Sequence, residues 1–459
     1  MGIIENGLTG SLAARAALSA TSQNIANVMT EGYTRQGVVL ASVQPLQSGA
    51  ISAGSGVKVS SLMRFSDDYK NLQMWQAASE LGYRETAKPY LDQLEQVMGD
   101  DTSGINNGLD TFFSALNAAS VEPSSVPLRA QVLTAADALA QRVNNLTSVL
   151  ANQRAAVQQQ RTSLVSQINS TSANIAELNK RIAEAQAAGI NASGLMDARD
   201  QAIDTLAGMV SIQVVNHPDG SRNVSLKTGQ PLVLGSAAST MTVTSTMAGT
   251  QELSLQFVNE TFAVRDDSLG GELGGLASFE YDTLLPLRDS IADIASEITT
   301  LMNNQLTSGY TLSGTAGSAL FVFDASSSTS MLSIDSAVLP QDLGFSSDPT
   351  KPGNSDNLLA MIALKDQPIT VTSLGSVRIG DANTQLIGRL GMQSQQNQAS
   401  LDTAQTVRNQ AEESWKSTSG VNQDEEAVNL IQFQQMYQAN MKVITVANEL
   451  FDSTLAMMG

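Results

Sequence analysis

The amino-acid sequence predicts a mainly α protein with a smaller β part. Its N- and C-terminal helices pair as a coiled coil, and between them lies a long helical bundle with inserted β-hairpins. Three observations carry this. Aromatic residues make up only 4% of 459 positions while Ala, Ser, Thr, Gln and Asn abound, which suits long helices packed through small side chains. Leu139, Val143, Leu146 and Leu150, then Leu164, Ile168, Ile175, Leu178 and Ile182, repeat with the four-three spacing of a coiled-coil seam. Between Val210 and Val264 the apolar period drops to two, as strands require.

Taken in order, residues 1–64 read as a terminal helix and an extended linker. The helix offers Ile4, Leu18 and Ile25 on one seven-residue row that Ser11 interrupts, with Leu8 and Leu12 as further contact residues. Ala13, Ala14, Ala16, Ala17 and Ala20 permit close approach, but so weak a helix needs a partner. A Gly-Tyr-Thr-Arg-Gln turn follows, and Val38 to Val59 reads as an extended linker or irregular hairpin. Residues 65–209 form the first part of a helical rod. In it, Asp67 to Met98 is kinked or broken at Pro89, a helix covers about Gly108 to Ala119, and Ser124 or Ser125 caps the long helix that ends at Ala187, with Pro127 in its first turn. Its phase slips between Gln153 and Leu164 through Val157 and Arg161, the form of a stutter. A shorter helix spans Leu195 to Met209.

Residues 210–268 read as a β-hairpin unit with turns at Asp219-Gly220 and near Asn259. "LGGELGGLASF" (Leu269 to Phe279) punctuates its end, and the chain returns as a helix within 269–306. Residues 307–384 are loops with a few strands, 385–419 the second part of the rod, and 420–459 the C-terminal coiled-coil helix. In that last segment Leu430, Tyr437, Ile444, Phe451 and Met458 stand seven apart, and Met441 and Leu455 lie on a second, mixed row. This seam calls for a partner helix, and the opening helix is the natural one; the plain alternative is that it packs on the body as a core helix.

Composition excludes several functions. A net charge of −19 repels phosphate backbones and anionic lipid, so neither nucleic acid nor membrane is an expected partner. No stretch is apolar enough to span a membrane and no ordinary secretion signal is visible. The absence of Cys removes disulfides and thiol chemistry, and the single His217, in a "NHPDG" turn, leaves a zinc site without ligands. No cofactor and no catalytic residues are expected. Asp197, Asp200 and Asp204 share a helix face, either as a cation site or, with Arg199 beside them, as a solvated face. Asp424, Glu425 and Glu426 fit the dipole at the start of the last helix. Glu31 and Arg35 read as rim contacts between subunits or as surface charges.

"ANVMTEGYTRQ" (Ala26 to Gln36) and "SGVNQDEEAVNLIQFQQMYQANMKVITVANELFDSTL" (Ser419 to Leu455) resemble the terminal signatures of the bacterial flagellar axial family of rod, hook and hook-associated proteins. "LMDARDQAIDTLAGMVSIQV" and "LGGELGGLASF" resemble the point where the long coiled coil of the hook-associated members enters and leaves its β unit. The resemblance implies a structural protein, not an enzyme, that passes from the cytoplasm through the flagellar export apparatus. Outside the cell it would assemble as a ring at the hook–filament junction, against hook protein and a second hook-associated protein. A cytoplasmic export chaperone would mask the C-terminal helix, and the terminal helices would be disordered until neighbours supply the missing seam. The implied assembly contacts are Leu8, Leu12, Leu18, Ile25, Tyr33, Arg35, Leu430, Phe433, Tyr437, Met441, Ile444, Phe451 and Leu455. Family members commonly carry a larger β-rich outer domain where this chain has only about Gly309 to Ile369. Other readings are a hook or distal-rod protein and, from outside the family, a wall hydrolase or an adhesin.

Overall fold

A computed structural model describes residues 2–44, 54–100, 104–246 and 249–458. Helix α1 (Gly2–Ala26) leads into an antiparallel ribbon of β1 (Gln36–Ser42) and β2 (Val57–Arg64), with Gln36 opposite Arg64 and Ser42 opposite Val57. Of the two readings of Val38 to Val59, linker or irregular hairpin, the structure has the hairpin, with a register shift between Val39 and Leu40; its 45–53 portion lies outside the described residues. The ribbon runs along α1, where Thr9 Oγ1 accepts from the Val57 amide at 3.4 Å.

Helix α2 (Asp68–Met98) is capped by Asp67, whose Oδ1 accepts from the amides of Tyr69 and Lys70 at 2.9 and 3.3 Å. Of the kink or break expected at Pro89, the break does not occur. Buried Ala87, Leu91 and Leu94 pack on either side of it, and this packing carries the helix past the missing N–H. Helix α3 (Ile105–Val121) buries Phe112, Phe113 and Leu116 against α4 (Val126–Ala187), a helix of 62 residues and thus about 93 Å long. Ser125 occupies the cap position with Pro127 just inside, but its side chain makes no capping hydrogen bond. Helix α5 (Ser193–Met209) then packs back on α4.

The β unit comprises two sheets. The first is a meander of β3 (Ile212–Asn216), β4 (Arg222–Leu226), β5 (Pro231–Leu234) and β6 (Ala237–Ala238); the second joins β7 (Thr240–Ser245), β8 (Gln251–Phe257) and β9 (Glu260–Val264). Both expected hairpins are present, the second turning at Val258 and Asn259 with Val258 at φ 54°. Polar groups of α4 hold the sheets. Asn179 Nδ2 donates to the carbonyls of Arg222 and Gly235 at 2.7 and 2.8 Å, while Asn169 exchanges two hydrogen bonds with the Met241 backbone at 2.8 and 2.7 Å. A carboxamide both donates and accepts, so it satisfies a strand's backbone where no further strand follows.

"LGGELGGLASF" is not punctuation. It forms helix α6 (Gly271–Ser278), continued by a π-helical turn (Phe279–Leu284) into α7 (Leu285–Ser308). Its glycines allow helices to touch, since a Cβ on Gly275 would stand 2.4 Å from the Tyr83 carbonyl oxygen. The π turn faces the place where the α4 seam slips. There Arg161, fully buried, meets Glu280 at 3.2 Å and Asp266 at 2.5 Å, and Arg154 meets Glu280 at 3.0 Å. Two helical irregularities thus meet around one buried ion cluster.

The outer region contains β10 (Phe321–Phe323), β11 (Leu332–Ile334), α8 (Asp356–Ala363), β12 (Pro368–Val371) and β13 (Gly375–Arg378). Helix α8 was not expected, because eight residues between Ser, Asp and Lys show too little periodicity. The region is tied to α4 by Arg129, whose Nε donates to the Pro123 carbonyl and Nη1 to the Leu343 carbonyl, each at 2.6 Å. Burial pushes this guanidinium down to about 10. Helix α9 (Ile379–Ser419) starts earlier than the expected Gln385 and packs along α2; α10 (Gln423–Met458) follows.

Two substitutions test this packing. Gly275→Ala forces its methyl against backbone and is expected to cost about 1–3 kcal/mol in urea unfolding. Arg161→Ala leaves Asp266 without its ion pair and Glu280 with Arg154 alone, and is expected to cost about 3–5 kcal/mol, seen as a lower midpoint at unchanged slope.

Candidate assembly interface

Helices α1 and α10 run antiparallel: Gly7 packs on Ile444 and Asn440, while Arg35, beyond the other end of α1, reaches Glu425 at 2.7 Å. The inner face of α1 is made of Gly7, Gly10, Ala14, Ala17, Thr21 and Asn24, all buried at three- and four-residue steps. It meets Glu426, Phe433, Met436, Asn440 and Ala447 of α10, which are buried or half-buried. The approach is close. A Cβ on Gly7 would stand 2.8 Å from Ile444 Cγ1, and one on Gly10 2.3 Å from Asn440 Oδ1.

This seam differs from the expected one. In α1 it is the interrupting Ser11 that is buried, whereas Ile4 is exposed and Leu18 and Ile25 are half-buried at the rim. Leu8 and Leu12 lie on the outside, Leu12 at 54% exposure. In α10, Phe433 is in the seam and Ile444 is half-buried beside it, but Leu430, Tyr437 and Met441 are exposed. Phe451, at 63% exposure, and Leu455 fall where α1 has ended, since Gly2 is level with about Glu449 when Gly7 faces Ile444. The ends expected to be disordered are helical and paired within one chain, because small side chains let the backbones meet. Large apolar residues are left outside.

The coil joins the body through a polar node. Asn24 Oδ1 accepts from the Tyr33 hydroxyl at 2.9 Å and the Gln36 amide at 3.0 Å, and its Nδ2 donates to the Gln36 carbonyl at 2.8 Å. Burial, with Asp197 and Glu426 nearby, pushes the Tyr33 phenol up to about 12. The Arg35 amide donates to the Ser419 carbonyl at 2.8 Å, its carbonyl accepts from Phe65 at 2.9 Å, and its guanidinium lies 4.5 Å over the Phe65 ring. The three chain crossings between coil and body therefore meet at Arg35.

Asp197, Asp200 and Asp204 form neither a solvated face nor a cation site, because arginines occupy them. Arg64 binds Asp197 at 2.7 Å and Asp200 at 2.9 Å, Arg222 binds Asp200 at 2.5 Å, and Arg408 binds Asp204 at 2.6 Å. Burial pushes the Asp197 carboxyl up against the opposing pull of Arg64. Among the described residues no cluster has the make-up of a metal site. At the start of α10 Asn422 does the capping, accepting from the Asp424 amide at 3.0 Å, while Glu425 pairs with Arg35 and Glu426 is buried. Sequence reasoning noted the alanines that allow close approach but missed Asn24, Arg64 and the inward role of Gly7 and Gly10. The glycine and alanine spacing along 7–24 was the available signal; the Arg64 pairing spans more than a hundred positions and had none.

A family model described as the flagellar hook-associated protein FlgK helical domain matches residues 91–321. The chain belongs to the flagellar hook-associated protein FlgK family. A model of the flagellar basal body rod FlgEFG protein C-terminal region also matches residues 417–457, which are α10 and the joint before it. Flagellar hook-associated protein 1 of Bacillus subtilis is 27% identical over 97% of this chain and 96% of its own length. The protein of that name from Salmonella typhimurium is 25% identical over 99% of each. The solved structure of the flagellar hook junction protein FlgK from Burkholderia pseudomallei shares the fold, with a TM-score of 0.66, 16% identity, and coverage of 76% of this chain and all of that one. The family is one of structural flagellar proteins, and no helix among the described residues is long and apolar enough to cross a membrane.

The node's ion pairs differ in burial, and stability should follow. Arg64→Ala leaves the nearly buried Asp197 carboxylate without an ion pair, while Asp200 keeps Arg222, and is expected to cost about 3–5 kcal/mol. Arg35→Ala, facing a largely exposed Glu425, should cost under about 1 kcal/mol. Urea titrations followed by the fluorescence of Trp75 and Trp415 would show the difference.

Proposed function

We propose that this protein forms the junction between the flagellar hook and filament, as a ring of identical copies built after export through the flagellar secretion apparatus. The observation that carries this reading is the inverted burial of the terminal coil. Leu8, Leu12, Leu430, Tyr437, Met441, Phe451 and Leu455 are exposed on the paired terminal helices, an apolar surface of the kind that marks a protein–protein contact. Identical copies related by a screw operation would cover one another's stripes, and hook protein and a second hook-associated protein would cover the two end layers. Near full-length similarity to proteins named flagellar hook-associated protein 1 supports the same assignment. Before export the stripe needs masking, and a cytoplasmic chaperone that grips the Tyr437 and Phe451 side of α10 would supply it.

A strain lacking the protein should build hooks and release filament subunits into the medium; filaments that stay attached to hooks without it would overturn the proposal. Phe451→Asp is the sharper case. Since Phe451 already faces solvent, the isolated variant should melt within about 2 °C of the parent, yet an unpaired carboxylate in an assembled apolar layer should abolish filament attachment. Truncation after Gly420 should abolish chaperone binding, measured by calorimetry against the full chain.

A further inference from the structure

We propose that the free end of α10 in one copy docks antiparallel on the outer stripe of α1 in a second copy, with Arg15 pairing to Asp452. This deepens the self-assembly reading above and rests on it. Ile4, Leu8, Leu12 and Arg15 fall within an arc of about 80° on α1, on the side away from the small-residue seam, and all four are exposed. On α10, Ile444, Phe451, Leu455 and Met458 share an arc of about 60°, with Asp452 on its flank. Among the described residues no part of α1, which spans Gly2–Ala26, lies level with the stretch after about Glu449.

The two stripes match in one register. Leu8 against Leu455 brings Leu12 against Phe451, since both pairs have the same spacing of four. The same register sets Arg15 opposite Asn448, one turn from Asp452. Neither Arg15 nor Asp452 has an ion-pair partner among the described residues. Within one chain these contacts cannot form: Phe451 lies level with the start of α1, about twelve residues and about 18 Å from Leu12 along the axis. The occupant is a second copy, since the apolar tip of α10 with Asp452 matches the α1 stripe with Arg15 in spacing and in that one charge pair.

The chain has no Cys, so a pair can be introduced cleanly. Flagella carrying Leu12→Cys with Phe451→Cys in the full chain, isolated and oxidised with copper–phenanthroline, should yield covalent dimers and higher multimers of this protein. Only monomers, from flagella whose filaments remain attached, would overturn the pairing while leaving the junction reading intact. Absence of the protein from isolated hook–filament complexes would overturn both. As a second arm, Arg15→Glu and Asp452→Arg should each lower the fraction of cells with attached filaments at least five-fold, and the double variant should restore it to within two-fold. A double variant no better than the worse single one would reject the ion pair and, with it, this register.

Discussion

The contact on which the rest of the molecule depends is the close antiparallel packing of α1 on α10. Gly7, Gly10, Ala14 and Ala17 form a small-residue face on α1, against which Phe433, Met436, Asn440 and Ile444 of α10 pack closely. Such a seam buries little apolar area per turn, and by area alone it is weak. Its consequence is geometric. Several bulky residues of both helices, among them Leu8, Leu12, Met441, Phe451 and Leu455, stay on the outside, where in a single chain they meet water. A conventional coil with leucines inside would be more stable alone and would have nothing left with which to hold a neighbour.

A weakly packed coil needs firm attachment, and the node around Arg35 and Asn24 provides it. Three chain crossings converge there, and each is tied by backbone hydrogen bonds or by ion pairs to α5 and α9. Polar contacts suit a joint between two units, because their distances and directions are narrow where apolar packing tolerates sliding. The same device recurs in the rod, where Arg161, Glu280 and Asp266 lock the slipped seam of α4 to the π turn before α7. Buried charges of this kind contribute little net stability but penalise alternative registers.

Much of the fold was legible because it rests on local periodicity. The four-three repeat located α4 and even its phase slip, and the period-two stretches located both hairpins. Short elements without a period were not legible. Helix α8 has two turns, and the glycines of α6 read as a break because glycine disfavours helices unless another backbone must come close. At Pro89 the converse holds: tertiary packing outweighed the local penalty, and the helix is not broken there.

The sequence by itself determined that the ends are amphipathic helices needing partners, that a long helical rod separates them, and that thiol chemistry is impossible. It also contained the family's terminal motifs. It did not decide which face of each terminal helix turns inward. A heptad row of large residues and a stripe of small ones coexist on α10 and α1, and either could form a seam. Only the tertiary structure turned the small face of α1 inward, against Phe433, Met436, Asn440 and Ile444 of α10, because two helices held at a fixed joint approach most closely where one of them carries the smallest side chains. The same holds for the acidic trio of α5: a helical wheel shows three carboxylates on one face, but the arginines that neutralise them come from β2, β4 and α9, which only folding brings together.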